Sequence, residues 1–184
     1  INGLLYIRGQ EQDYNIWRQL GNKGWGWKDV LPYFIKSENQ ERGKNDYHGD
    51  NGPLSVSDPR IKLDLLEKFM DAAEEEGIPK VDDFNKGDNF GCGYFQVTEK
   101  NGLRCSAAVG YLNPVKKRKN LKIETNCHVQ KINFDGTKAI SVTFWKNNQL
   151  NTIKANKEIL LSAGSIGSTQ ILQTSGVGEG SKLS

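Results

Sequence analysis

The chain has 184 residues, and its 25 Lys and Arg against 22 Asp and Glu leave a net charge of +3. That excess is small and scattered, so it singles out neither nucleic acid nor a membrane surface as partner. Hydrophobic residues make up 36%, polar for a globular chain, yet four Trp, six Tyr and seven Phe supply core material and exclude disorder.

No apolar run approaches the ~18 residues needed to span a bilayer; Leu4 to Ile7 is about the longest. Three cysteines, Cys92, Cys105 and Cys127, form no C-x-x-C pair. This argues against a disulfide scaffold and a zinc site, and suits a reducing, cytoplasmic compartment. The two histidines, His48 and His128, lie far apart, which makes a His-rich metal site unattractive. With Ile1 at its start and a Gly-rich turn near Ser184, the chain reads as a fragment.

In chain order, Glu11 to Leu20 forms a helix with Tyr14, Trp17 and Leu20 on one face and Gly21 past its end. Gly24-Trp25-Gly26-Trp27 follows, with the Trp pair read as packing. Val30 to Ile35 has helical period but carries Pro32, expected to end or kink it. Residues 39–53 read as a polar surface loop, with His48 a packing residue within it. Leu54 and Val56 mark a short strand. Asp58-Pro59 has the cap and N1 proline of a helix start, and that helix runs to about Glu76 with Ile61, Leu65, Phe69 and Ala73 four apart. Gly77 stops it.

Asp82 to Asn89 is turn-rich, Cys92 to Thr98 alternates like a strand, and Ser106 to Leu112 reads as a short helix ended by Pro114. The run Lys116 to Lys119 reads as a solvated turn. From Leu121 the pattern is strand: Leu121 to Thr125, Val129 to Phe134, Ala139 to Trp145 and Leu150 to Ala155, with turns at Asp135-Gly136 and Asn147-Asn148. This is an antiparallel meander. It leads into Glu158 to Ser162, read as a buried parallel strand. Ala163 to Ser168 then opens a helix closed by Gly176 and Gly178. The fold class is therefore mixed α/β.

The strand–turn–helix at 158–172 carries the clearest chemistry. Free N–H groups and the positive helix end meet at one point, where Gly164 and Gly167 let the backbone approach an anion. No G-x-G-x-x-G, G-x-S-x-G, P-loop or H-E-x-x-H pattern occurs, and no carboxylate pair offers acid–base work. His48, His128 and Glu74-Glu75-Glu76 all read as structural.

The order of motifs resembles a known family. Ile1-Asn2-Gly3-Leu4-Leu5-Tyr6-Ile7-Arg8-Gly9, with Asp13-Tyr14 and Trp17, resembles part of the first signature of the glucose–methanol–choline (GMC) flavin oxidoreductases. Gly24 to Trp27 with Asp29 to Phe34, Tyr47-His48-Gly49, Gly52 to Ser57, Asn101 to Ala108 and Tyr111 to Pro114 continue it. Gly164 to Gln170 through Ser175 to Gly178 resembles the second signature, with Thr169 where Pro is usual. The likeness covers essentially the whole chain and is greatest to the choline dehydrogenase and related alcohol dehydrogenase branch.

The resemblance implies a Rossmann-like FAD-binding domain with an antiparallel meander, plus part of an inserted substrate-binding domain. It divides the chain into 1–50 (FAD-binding), 51–115 (substrate-binding) and 116–184 (FAD-binding). Asn2, Gly3, Leu4 and Leu5 match positions lining the flavin, Val129 one whose backbone meets the adenine, and Ala163 and Gly164 the strand end near adenosine and pyrophosphate. Ile1 stands where some members carry the His that links FAD covalently, which implies a dissociable cofactor.

The Gly-rich FAD fingerprint is expected upstream of Ile1. The catalytic His and its His or Asn partner are expected beyond Ser184, the His taking the alcohol proton as hydride passes to the flavin. No catalytic residue is assigned within the chain. Choline is the favoured substrate, with other primary alcohols close behind, an acceptor not identified and no nucleic-acid partner. Trp25, Trp27 or Tyr94 could make a cation–π contact to a quaternary ammonium. Any membrane association would come through the intact enzyme. A non-catalytic nucleotide-binding module and a β-rich scaffold remain open as alternatives.

Overall fold

The computed structural model describes residues 3–183. They fall into two compact units, one ending at Leu121 and the other starting at Lys122.

The first unit opens on an extended segment and then α1, Glu11–Gln19, capped by the Asp13 carboxylate accepting from the Gln10 N–H at 2.8 Å. Its end is set by Gly21 at φ +100. Helix α2, Trp27–Ser37, runs straight through Pro32. The expected break does not occur. The proline removes only the bond to the carbonyl of Lys28, an exposed residue whose oxygen can turn to water.

Tyr14 of α1 sits 5.8 Å from Trp27 and 5.7 Å from Phe34 between ring centroids, so the two helices share an aromatic contact. Trp27 is buried there, whereas Trp25 stays half exposed against Trp17. The Trp pair is packing.

Residues 39–53 are not a surface loop throughout. Strand β1, Glu38–Gln40, pairs in parallel with β2, Leu54–Val56, and the loop between folds back so that His48 is only 2% exposed. Gly49 makes this approach close: a Cβ there would lie 2.0 Å from the Ile35 carbonyl oxygen. Helix α3, Asp64–Glu75, begins six residues after the Asp58-Pro59 signal. Asp58 cannot cap it, because its carboxylate is held by Arg42 at 2.8 Å and by Gln96 at 2.9 Å. Gly77, at φ +85, ends α3 as expected.

Cys92 to Thr98 forms isolated bridges, Lys80 to Cys92 and Val97 to both Leu5 and Ser57, not one strand. A hairpin of two-residue strands, β3 (Glu99–Lys100) with β4 (Leu103–Arg104), and a helical turn at Ala108–Leu112, entered through helical Ala107, complete this unit. Lys116 to Lys119 lies in exposed turns.

The second unit is the meander. Strands β5 (His128–Asp135), β6 (Lys138–Lys146) and β7 (Gln149–Lys154) pair antiparallel in that order. The Asn147-Asn148 turn sits where the sequence puts it, whereas the first hairpin turns at Gly136-Thr137, one residue later than expected, because Asp135 still pairs with Lys138. Gly136, Asn147 and Asn148 take φ of +57, +50 and +59, the left-handed values such hairpins need. Ile132 and Phe144 form its buried centre.

Helix α4, Gly164–Thr174, packs on β5: Thr174 Oγ1 donates to the Gln130 carbonyl at 2.8 Å, and the Ile132 N–H donates to Ser175 Oγ at 2.8 Å. A short helix, α5, spans Gly180–Leu183. Two expectations fail here. Leu121 to Thr125 and Glu158 to Ser162 are extended but form no strand, and Leu160 is 81% exposed. A strand needs a neighbour to take its N–H and C=O groups, and among the described residues no strand pairing is formed by either segment, although the Glu124 carboxylate pairs with Lys146 at the end of β6.

Candidate functional site

The residues that the resemblance assigns to a cofactor lie on both units. Gly3, Leu4 and Leu5 belong to the first; Asn2 lies outside the described residues, as does Ile1. Leu4 has φ +70, a left-handed value unusual for a bulky residue. It is held there by Thr98, whose N–H at 2.8 Å and Oγ1 at 3.2 Å both donate to the Leu4 carbonyl. Leu5 bridges to Val97 by main chain and leaves its side chain 56% exposed.

In the second unit, Val129 is half-buried on β5, opposite Phe144 and just before a bulge at Gln130. Ala163 and Gly164 head α4. No side chain caps this helix; the Ala163 N–H donates to Ser168 Oγ at 3.0 Å, and Thr169 Oγ1 donates to the Ser165 carbonyl at 2.8 Å. Gly164 takes φ +82, and a Cβ placed there would meet nothing within 4 Å. The helix therefore presents uncapped donors beside open space, led by a residue with no side chain. A dinucleotide's diphosphate fits such an end, since the unpaired N–H groups and the helix dipole both favour negative charge.

The cation–π candidates are not gathered into a pocket. Trp27 is buried in the aromatic contact, and the Tyr94 ring already faces a cation, Lys62 Nζ at 5.7 Å.

What sequence reasoning missed is the interior of the first unit, which is largely polar and includes a charged cluster. Arg8, Glu38, His48 and Asp83 are all buried. Glu38 pairs with Arg8 Nη2 and, at 2.8 Å, with His48 Nδ1; His48 Nε2 pairs with Asp83 at 2.9 Å. Burial alone would lower the His48 pKa, but hydrogen bonds to Asp83 and Glu38, and their charges, outweigh it and raise it to about 9.

At neutral pH both ring nitrogens are thus protonated and both donate. Burial pushes Asp83 up, yet its bonds from His48 and from the Asn85 N–H leave it below the usual carboxylate value. Two cations face two anions, which is how buried charge becomes tolerable. Gln40 and Gln96 finish the network by exchanging amide hydrogen bonds of 2.9 and 3.0 Å.

One signal in the sequence bears on this cluster: His48-Gly49 and Gly52 are small-residue positions that permit deep burial of a loop. The ion-pair partners lie 10 to 35 residues apart, so the local sequence does not pair them. Among the described residues no group of His, Cys, Asp and Glu is arranged to hold a metal ion, and no helix is long and apolar enough to cross a membrane.

The sequence profile described as GMC oxidoreductase matches residues 1–184. "Oxygen-dependent choline dehydrogenase" of Pectobacterium atrosepticum is 44% identical over 97% of this chain and 32% of its own length. "Choline dehydrogenase, mitochondrial" of Homo sapiens is 38% identical over 100% of the chain and 31% of its own. Among solved structures, an FAD-dependent oxidoreductase from Chaetomium thermophilum superimposes with a TM-score of 0.84 at 34% identity, over 96% of this chain and 33% of that one. Pyridoxine 4-oxidase from Mesorbium loti gives 0.87 at 29%, over 99% and 36%. The chain thus spans about a third of the length of the relatives it matches.

Proposed function

The chain belongs to the GMC oxidoreductase family, and from that premise we propose that it is the central portion of an FAD-dependent enzyme that oxidises alcohols, choline first among them. One observation carries the cofactor reading: the uncapped start of α4, led by left-handed Gly164 with open space around it. Ala163 and Gly164 would hold the diphosphate by main-chain N–H groups. The Val129 main chain would meet the adenine, and Asn2, Gly3, Leu4 and Leu5 would line the flavin.

FAD, when bound, supplies the acceptor for hydride from the alcohol carbon. This chain's contribution is to bind and orient; the proton-accepting His is proposed to lie in the rest of the enzyme. Residues 1–50 and 116–184 are assigned to the FAD-binding domain and 51–115 to the substrate-binding domain. Choline is preferred because the relatives of 44% and 38% identity carry that name. A different primary alcohol is the second reading, supported by the structural likeness to pyridoxine 4-oxidase.

The test is direct. The intact protein, purified and made anaerobic, should be yellow and should bleach on adding choline. A yellow protein that bleaches only with another primary alcohol would replace the substrate; a colourless protein that takes up no FAD would sink the reading.

A further inference from the structure

The buried charges of the first unit form a closed ring with the segment that the functional reading places against the flavin. Arg8 pairs with Glu38, Glu38 with His48, and His48 with Asp83. The second Asp83 oxygen accepts from the Asn85 N–H at 2.8 Å. Asn85 then returns to the starting segment: its Oδ1 accepts from the Arg8 N–H at 2.8 Å, and its Nδ2 donates to the Tyr6 carbonyl at 3.3 Å. His48 thus reaches the segment by two routes, through Glu38 to the Arg8 guanidinium and through Asp83 and Asn85 to the backbone.

The same segment is fixed on its other side. The Tyr6 N–H donates to the Gln96 carbonyl at 2.8 Å, and Thr98 holds Leu4 at φ +70. A left-handed leucine persists only where surroundings over-determine it. Four buried charges are an unfavourable way to stabilise a small unit, since apolar residues of equal volume commonly do as well. Their geometric effect is to leave the Leu4–Arg8 backbone one conformation.

We propose that this ring is a positioning device, with His48 at its centre, that sets the Gly3–Arg8 segment for FAD although none of its members touches the cofactor. The inference rests on the functional reading above. The groups that face His48 are Glu38 on β1, Asp83 with Lys86 behind it at 3.9 Å, and, lining a cavity of about 110 Å³ beside it, Arg42 and Asp82. The ring is complete only while the imidazole carries both protons, so FAD binding follows its titration.

The experiment uses the intact protein stripped of flavin and titrated with FAD by fluorescence, with visible circular dichroism of the bound flavin as a second readout. Between pH 7 and 9.5 the dissociation constant of the unmodified protein should rise about threefold. His48→Gln should start about tenfold weaker, with an altered flavin signal, and stay flat across that range. Asp83→Asn, which keeps one of the two acceptor oxygens and removes the charge, should fall between the two.

Variants that are folded and bind FAD within twofold of the unmodified protein, with the same flavin signal, would overturn the ring's role. If His48→Gln does not fold, the titration of the unmodified protein decides: a dissociation constant constant from pH 7 to 9.5 rejects the inference. Unmodified protein that holds no FAD at any pH would overturn the functional reading itself, a result distinct from FAD-binding protein with indifferent variants.

Discussion

Val129, Ala163 and Gly164 are proposed to meet FAD through their main chain, and this proposal governs how substitutions there should behave. Val129→Ala keeps the backbone of β5 and should leave FAD affinity within about twofold, whereas Val129→Pro removes a donor and should abolish binding. Gly164→Val should weaken FAD by tenfold or more, because a β-branched side chain is strained at φ +82 and fills the open space beside the helix end. Equal FAD content in the three folded variants of the intact enzyme would count against these assignments.

His48 makes a prediction of its own. Its pKa rises on folding from 6.5 to about 9, so its stabilisation is complete below pH 6.5 and is lost as pH climbs through 9. Asp83 is shifted the other way: its share is present above pH 3.8 and is lost as acid protonates it. Denaturation followed against pH should place the cluster's greatest contribution between about pH 4 and 6.5. The loss from there to pH 10 should be roughly 2–3 kcal/mol, absent in His48→Gln. Stability that climbs from pH 6.5 to 10 would contradict the charged cluster.

At the scale of elements, what was legible in the sequence was local and what was missed was long-range. Helix α1 ends at the glycine expected, and the meander falls in place, because alternation and the Asn147-Asn148 turn are written in consecutive residues. Asp58-Pro59 misled for the opposite reason. A carboxylate that would cap a helix locally is taken by Arg42, sixteen residues back, and the cap goes unused. Residues 39–53 misled likewise, since polar residues signal a surface unless their partners are known.

Of the candidate site, the glycine-led helix start was readable from Ala163 to Gly167. The charge ring was not, as Arg8 and Asn85 meet across 77 positions. The hairpin offers a test of local encoding. Asn148 pays a cost at φ +59 that glycine avoids, so Asn148→Gly should raise stability by about 0.5 kcal/mol, read as a higher melting temperature. The α4 anchor offers the reverse: Ser175→Ala leaves the part-buried Ile132 N–H without its acceptor and should cost about 1–2 kcal/mol.

For the whole molecule, the exposed surface is larger than compact globules of this size carry. The chain exposes 13811 Å². Two separate compact globules the size of its two units would expose only about 10,500 Å² together. Part of the exposed surface is carried by large apolar side chains. Leu65 and Phe69, which the sequence puts on one face of α3, are 79% and 65% exposed, and Leu160 and Ile166, flanking the start of α4, are 81% and 85% exposed.

Large apolar side chains in groups of this kind mark surface meant for contact, or surface that aggregates when contact is withheld. The extended segment Glu158 to Ser162 adds unpaired backbone to one such group, a template for association. We therefore expect residues 1–184 expressed alone to recover poorly from the soluble fraction, to retain no FAD after gel filtration, and to reduce no dye with choline. The intact enzyme should be recovered soluble, retain FAD and reduce dye with choline. A monodisperse, yellow preparation of residues 1–184 would show that these faces need no cover, and that the cofactor site is complete within the chain.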